Sequence, residues 1–161
     1  MTKPAQSPRP RPPRSLRSDA TRVLDECPAW HLRLAARKIT VFLDAHLAPS
    51  SLTTAQFGLM SLLAAARDDT LGALAQRAGL DQSTLSRNLD TLARLGWAEI
   101  TTSTRDRRKR AAWLTEAGAR KLAAAMPLWR AAQEAVAGVV DVVVARQAGE
   151  SAQASRLNRE N

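Results

Sequence analysis

Between Thr70 and Gly96 the chain carries two helix-length segments, each opened by a capping side chain and closed by a glycine. Thr70 can cap a short helix, Leu71 to Ala78, with Leu71, Leu74 and Ala75 turned inward. Gly79 supplies the left-handed residue that a sharp turn requires. Asp81 can cap the next helix, Gln82 to Leu95, whose core stripe is Leu85, Leu89 and Leu92 at i, i+4 and i+7. Gly96 ends it. Two short helices joined by Gly79-Leu80-Asp81 match a helix-turn-helix.

The flanks extend this reading. Residues 19–47 show helical period, with Leu32, Ala35, Ile39, Phe42, Leu43 and Leu47 at three- and four-residue steps. Thr53-Thr54-Ala55-Gln56 reads as a capping box that opens a helix through Phe57, Met60, Leu62 and Leu63 to about Ala66. After Gly96 the pattern alternates. Trp97 to Thr101 predicts a strand, and Ala112 and Leu114 share one face of a second, with Trp113 facing the other way. Together they form a hairpin. Thr115 then caps a long Ala-rich helix that Pro127 kinks or ends, with Gly138 as a second interruption. The fold expected is mostly α with a small β-hairpin wing: a winged helix-turn-helix with additional N- and C-terminal helices.

Charge separates two patches from a neutral body. The chain has 161 residues and a net charge of +9. Lys3, Arg9, Arg11, Arg14 and Arg17 stand in residues 1–18 with no acid, among five of the eight prolines. Residues 105–110 read RDRRKR. The remaining bases and acids cancel. Such a balance points to an anionic partner. No apolar run approaches the ~20 residues of a bilayer span. The basic N-terminus has no apolar segment of the secretory kind. One cysteine allows no intrachain disulfide. A cytoplasmic protein with no membrane association is expected.

The order of helices, helix-turn-helix, two-stranded wing and long helix resembles the MarR family of bacterial transcription regulators. The most specific part is LGALAQRAGLDQSTLSRNLDTLARLGWAEITTSTRDRRKRAAWLTEAGARKL, residues 71–122. Within it TLSRNLDTLARLG is similar to the family's recognition helix. Asp106-Arg107-Arg108 resembles its Asp-x-Arg wing motif, and Leu114 to Gly118 its strand-to-helix junction. The resemblance implies a homodimer joined by its terminal helices, a DNA-binding lobe on each subunit, and a small-molecule pocket between the two regions. The expected division is a disordered basic Pro-rich arm (1–18) and an N-terminal dimerisation helix with linker (19–52). The winged DNA-binding region (53–115), C-terminal dimerisation helices (116–146) and a polar disordered tail (147–161) follow.

The chemistry of the residues points the same way. With Leu85 inward and about 100° per residue, Ser83, Arg87 and Arg94 point almost opposite, with Ser86 and Asp90 beside them. Ser83, Ser86 and Arg87 on this face, with Gln82 and Thr84 from the same first two turns, are candidate DNA contacts. Arg pairs bidentately with guanine, and Ser or Thr bonds a base edge or phosphate. Asp90 is expected to pair with Arg94 or Arg87. A narrow basic hairpin tip can place an Arg in the minor groove. The resemblance assigns that role to Arg108, buttressed by Asp106. Arg105, Arg107, Lys109 and Arg110 would then touch phosphates.

Sensor residues are less defined. Some MarR relatives sense organic peroxides through a cysteine in this region, bonded by tyrosine hydroxyls. This chain has no Tyr, and Ala29 stands at the matching position. Cys27 is a redox candidate beside its plainer reading as a small buried or interface residue. Cys27 and His31, four apart, could share a metal, but only His46 and acids remain as further ligands, so no metal or cofactor is expected. By resemblance, Trp30, Arg33, Arg37, Phe57 and Trp129 could line a pocket for a small aromatic or phenolic effector. No catalytic constellation stands out, and no enzyme is expected. The function expected is a sequence-specific, ligand-responsive repressor that binds a pseudo-palindrome in double-stranded DNA as a homodimer. A redox- or metal-responsive regulator of the same fold is one alternative. A protein-interaction adaptor that uses the winged domain is another.

Overall fold

The computed structural model describes residues 13–66, 70–102 and 110–154. The chain divides into two compact units, Met1–Ile39 and Thr40–Asn161.

The first unit holds α1 (Arg14–Glu26) and the first part of α2 (Pro28–Leu47). Helix starts earlier than the sequence predicts, at Arg14 rather than near residue 19. The reason lies in the prolines. The last of the N-terminal cluster, Pro13, sits at the N-cap with φ −52° and ψ 151°. Beyond it nothing in Arg-Ser-Leu-Arg-Ser opposes helix. Pro28 also divides a stretch whose period predicts one continuous helix. It forces Cys27 out of the helical region, to ψ 110°, and serves as the first residue of α2. No residue of α1 is buried. Leu16, Val23, Leu24, Trp30, Leu32 and Leu34 are all exposed.

The second unit contains the end of α2, a 3-10 turn (Ala48–Ser50), α3 (Thr54–Ala65), α4 (Leu71–Ala78), α5 (Gln82–Arg94), β1 (Ala98–Thr102), β2 (Arg110–Leu114), α6 (Glu116–Ala137) and α7 (Val142–Ala154). Its core gathers apolar residues from nearly every element, including Leu47, Met60, Leu74, Leu85, Leu89, Leu92 and Ala125. The capping box that opens α3 is present. Gln56 N donates to Thr53 Oγ1 and Thr53 N to Gln56 Oε1. Asp44 of α2 accepts from Thr54 N at 2.6 Å, which lowers its carboxyl pKa and ties the end of α2 to the start of α3.

α6 runs through Pro127 instead of ending there. Pro127 and Ala123, whose carbonyl loses its usual donor, are both exposed, so water can take the donor's place. α7 reaches Ala154, into the stretch expected to fray. Asp141 starts it, accepting from Val143 N at 2.7 Å. The apolar side chains Val139, Val142, Val143 and Val144 at this end are exposed.

Candidate nucleic-acid interface

The helix-turn-helix forms as its caps dictate. Thr70 Oγ1 accepts from Ala73 N at the start of α4. Gly79 takes φ +65°, and Leu80 N bonds back to Ala75 O at 3.0 Å, which turns the chain sharply into α5. Leu71, Leu74 and Ala75 of α4 and Leu85, Leu89 and Leu92 of α5 are buried. Burying the α5 stripe leaves its other face outward. Gln82, Ser83 and Arg87 are exposed, and Thr84 and Ser86 half-buried.

The hydroxyls and the guanidinium on this face are connected. Asp81 receives Ser83 Oγ on Oδ1 (2.6 Å), Thr84 Oγ1 on Oδ2 (2.7 Å) and Thr84 N on Oδ1 (2.8 Å). The Ser83 and Thr84 hydroxyls, and then the Thr84 amide, hold the Asp81 carboxyl well below the usual carboxylate range. Arg87 Nη2 donates to Thr84 Oγ1 at 3.1 Å. Seven residues later Arg94 Nη2 donates to Thr91 Oγ1 at 3.2 Å. These threonines, not Asp90, are the arginines' partners. The sequence does carry the signal: Thr three residues before Arg, twice, seven residues apart. Charge pairing alone favours Asp90.

The wing is an antiparallel pair in the register Ala98↔Leu114, Glu99↔Trp113, Ile100↔Ala112, Thr101↔Ala111 and Thr102↔Arg110. Its inner face contributes the buried Ala98 and Ala112. Its outer face pairs Trp113 Nε1 with Glu99 Oε2 at 3.2 Å, which gives Trp113 a partner the sequence could not name. Thr70 also bridges Ala111, so the first residue ahead of α4 is stitched to β2. Arg110 opens β2 opposite Thr102. The other basic wing candidates, Arg105, Arg107, Arg108 and Lys109, lie with Asp106 outside the described residues.

A tight joint holds α6 to the root of this assembly. Thr115 Oγ1 donates to Gly96 O at 2.7 Å and accepts from Gly118 N at 2.9 Å, and Thr115 N donates to Trp97 O. Gly118 packs so closely that a Cβ there would overlap the Trp97 carbonyl. Lys121 Nζ lies 5.1 Å from the centre of the Trp97 ring, within cation–π range.

The effector candidates divide between the units. Phe57 and Trp129 stack with ring centroids 6.0 Å apart in the second unit, with Phe57 buried. Trp30, Arg33 and Arg37 belong to the first unit and are exposed. Cys27 is half-buried at the α1–α2 break. His31 Nε2 bonds Asp25 O at 3.0 Å, and His46 Nδ1 bonds Phe42 O at 2.9 Å. Among the described residues no three His, Cys, Asp or Glu side chains cluster as a metal site, and no helix is long and apolar enough to cross a membrane.

Comparison with known proteins places this geometry. The MarR family profile matches residues 50–109. No curated protein matches the chain in sequence. The M. tuberculosis transcriptional regulator MosR, solved in complex with DNA, is 34% identical with a TM-score of 0.72, covering 80% of this chain and 96% of MosR. The transcriptional repressor CouR, solved on a 23-mer DNA duplex, is 28% identical with a TM-score of 0.64, covering 82% and 93%. CouR from Rhodococcus jostii RHA1 bound to p-coumaroyl-CoA is 22% identical with a TM-score of 0.63, covering 81% and 92%, a level that speaks for the fold. With the helix-turn-helix, the wing and a relative more than 30% identical over nearly its whole length, the chain belongs to the MarR family of transcriptional regulators.

Proposed function

We propose that the chain is a repressor that binds a pseudo-palindromic operator in double-stranded DNA as a homodimer and leaves it when a small effector binds. The observation that carries this reading is the outward face of α5, where the exposed Ser83 and Arg87 stand opposite the buried Leu85, Leu89 and Leu92, with the half-buried Thr84 at the flank. A helix docked on its apolar stripe and presenting hydroxyls and a guanidinium suits the major groove. MosR, the 34%-identical relative, is solved in complex with DNA, which supports the reading. In it Gln82, Ser83, Thr84, Ser86 and Arg87 of this chain face base edges or nearby phosphates. Arg108 with Asp106 enters the minor groove, and Arg105, Arg107, Lys109 and Arg110 hold the backbone.

The exposed apolar side chains of α1 and α2, and those around α7, supply surface for a second copy of the chain. Two recognition helices would then stand about one DNA turn apart. Residues 19–52 and 116–146 serve dimerisation in this scheme and 53–115 bind DNA, with 1–18 and 147–161 as flanking segments. An aromatic or phenolic effector is favoured by the residue types available. Phe57, Trp129, Trp30, Arg33 and Arg37 are each candidates on their own account. CouR bound to p-coumaroyl-CoA offers a precedent within the fold. Action in the cytoplasm, without catalysis, completes the reading.

The test is a gel shift against DNA upstream of the chain's own gene with excess non-specific competitor. A sharp complex that survives competitor is expected. A salt-labile smear would favour an adaptor that meets an acidic protein.

A further inference from the structure

Asp81 does more than cap α5. Its two carboxylate oxygens take the hydroxyl protons of Ser83 and Thr84, at 2.6 and 2.7 Å. A carboxylate can only accept, and each hydroxyl has one proton, so the direction of both bonds is fixed. The Asp81 carboxyl pKa is lowered, so the group stays ionised at any working pH. Thr84 is further occupied, because Arg87 Nη2 donates to its oxygen at 3.1 Å. Ser83 is exposed and retains lone pairs toward solvent, with no proton to give. An unconstrained serine can bond a base edge either way.

We propose that Asp81 sets the polarity of base reading. It makes Ser83 an acceptor only, so the base that Ser83 faces is selected for an exocyclic amine in the major groove, adenine N6 or cytosine N4. Guanine and thymine offer only acceptors there and leave Ser83 without a bond. The inference rests on the DNA-binding reading above. Asp81 is a positioning residue in it, and Ser83 makes the contact.

The test is selection of the full-length chain on a randomised duplex pool, followed by sequencing. Wild type should enrich adenine or cytosine at one position per half-site, and Ser83→Ala should lose that preference alone. Methylating the exocyclic amine of that base in the selected duplex should weaken wild-type binding by a factor of about five or more. Asp81→Gly retains a residue type that helix N-caps accept while releasing the Ser83 proton. It should spread the preference to guanine and thymine. Should that variant fail to fold, the methylated duplex and Ser83→Ala still decide. A Ser83-dependent position enriched in guanine or thymine, no Ser83-dependent position, no effect of methylation, or an unchanged preference in folded Asp81→Gly would each overturn the proposal. A pool from which wild type enriches no sequence rejects the DNA reading itself.

Discussion

At Arg87 the guanidinium is exposed and already oriented by the Thr84 hydroxyl. A side chain held this way loses less freedom on meeting a guanine than a mobile one. Arg87→Ala should therefore cost about 1–3 kcal/mol of operator binding and blur discrimination at one base position. Binding titrations on operator variants check this. Gly118 illustrates a different constraint. Its neighbour is backbone, the Trp97 carbonyl, which cannot swing aside as a flexible side chain would. Gly118→Ala should lower stability by about 1–3 kcal/mol, read as a fall in the denaturant midpoint. The sequence shows Gly118 only as part of a junction motif. The close approach depends on where the α5–β1 connection lies, information that no local pattern carries.

Among the elements, the helices announce themselves through their caps. Thr53, Thr70, Asp81 and Thr115 each accept from the backbone amide three residues on, as their positions before apolar periods predict. The elements that depart from expectation are those decided by proline or by absent burial. Pro28 divides one helix into two, Pro127 does not, and the difference is position: one starts a helix, the other sits inside it on an exposed face. Acid should act on the caps and junctions. Asp44 and Asp81 both have lowered pKa values in the folded chain, through Thr54 for the first and Ser83 and Thr84 for the second. The stability they add is complete above the ordinary carboxylate value of about 3.9. It is lost as pH falls through their folded values. The melting temperature should hold from pH 7 to about 5 and drop below about 4, and Asp44→Asn should flatten that drop. The wing belongs at this scale too. Arg107→Ala should weaken binding to all duplexes alike and reduce the salt slope by about one, measured by titration over a range of salt.

For the whole molecule, the helix-turn-helix, wing and long helix are legible because apolar period and capping residues agree at each step. The arginine partners are only half legible, because Thr stands three residues before each Arg while Asp90 lies within one helical turn of both, and periodicity does not choose between them. Binding should lean on charge. If a dimer neutralises about 6–10 phosphates, affinity should fall by roughly 10³–10⁵ between 50 and 200 mM salt. Self-association should leave its own mark. Leu34→Glu, on an exposed apolar position of α2, should shift sedimentation toward the monomer. The Thr115 hydroxyl carries a consequence for anyone trimming the protein. It serves Gly96 O on one side and Gly118 N on the other. A fragment cut after β2 would leave the Gly96 carbonyl without its partner and strip Trp97 of its cover by Lys121. The smallest autonomous DNA-reading piece must therefore carry the opening turns of α6, at least to the buried Leu122, although that helix touches no base in the proposed complex.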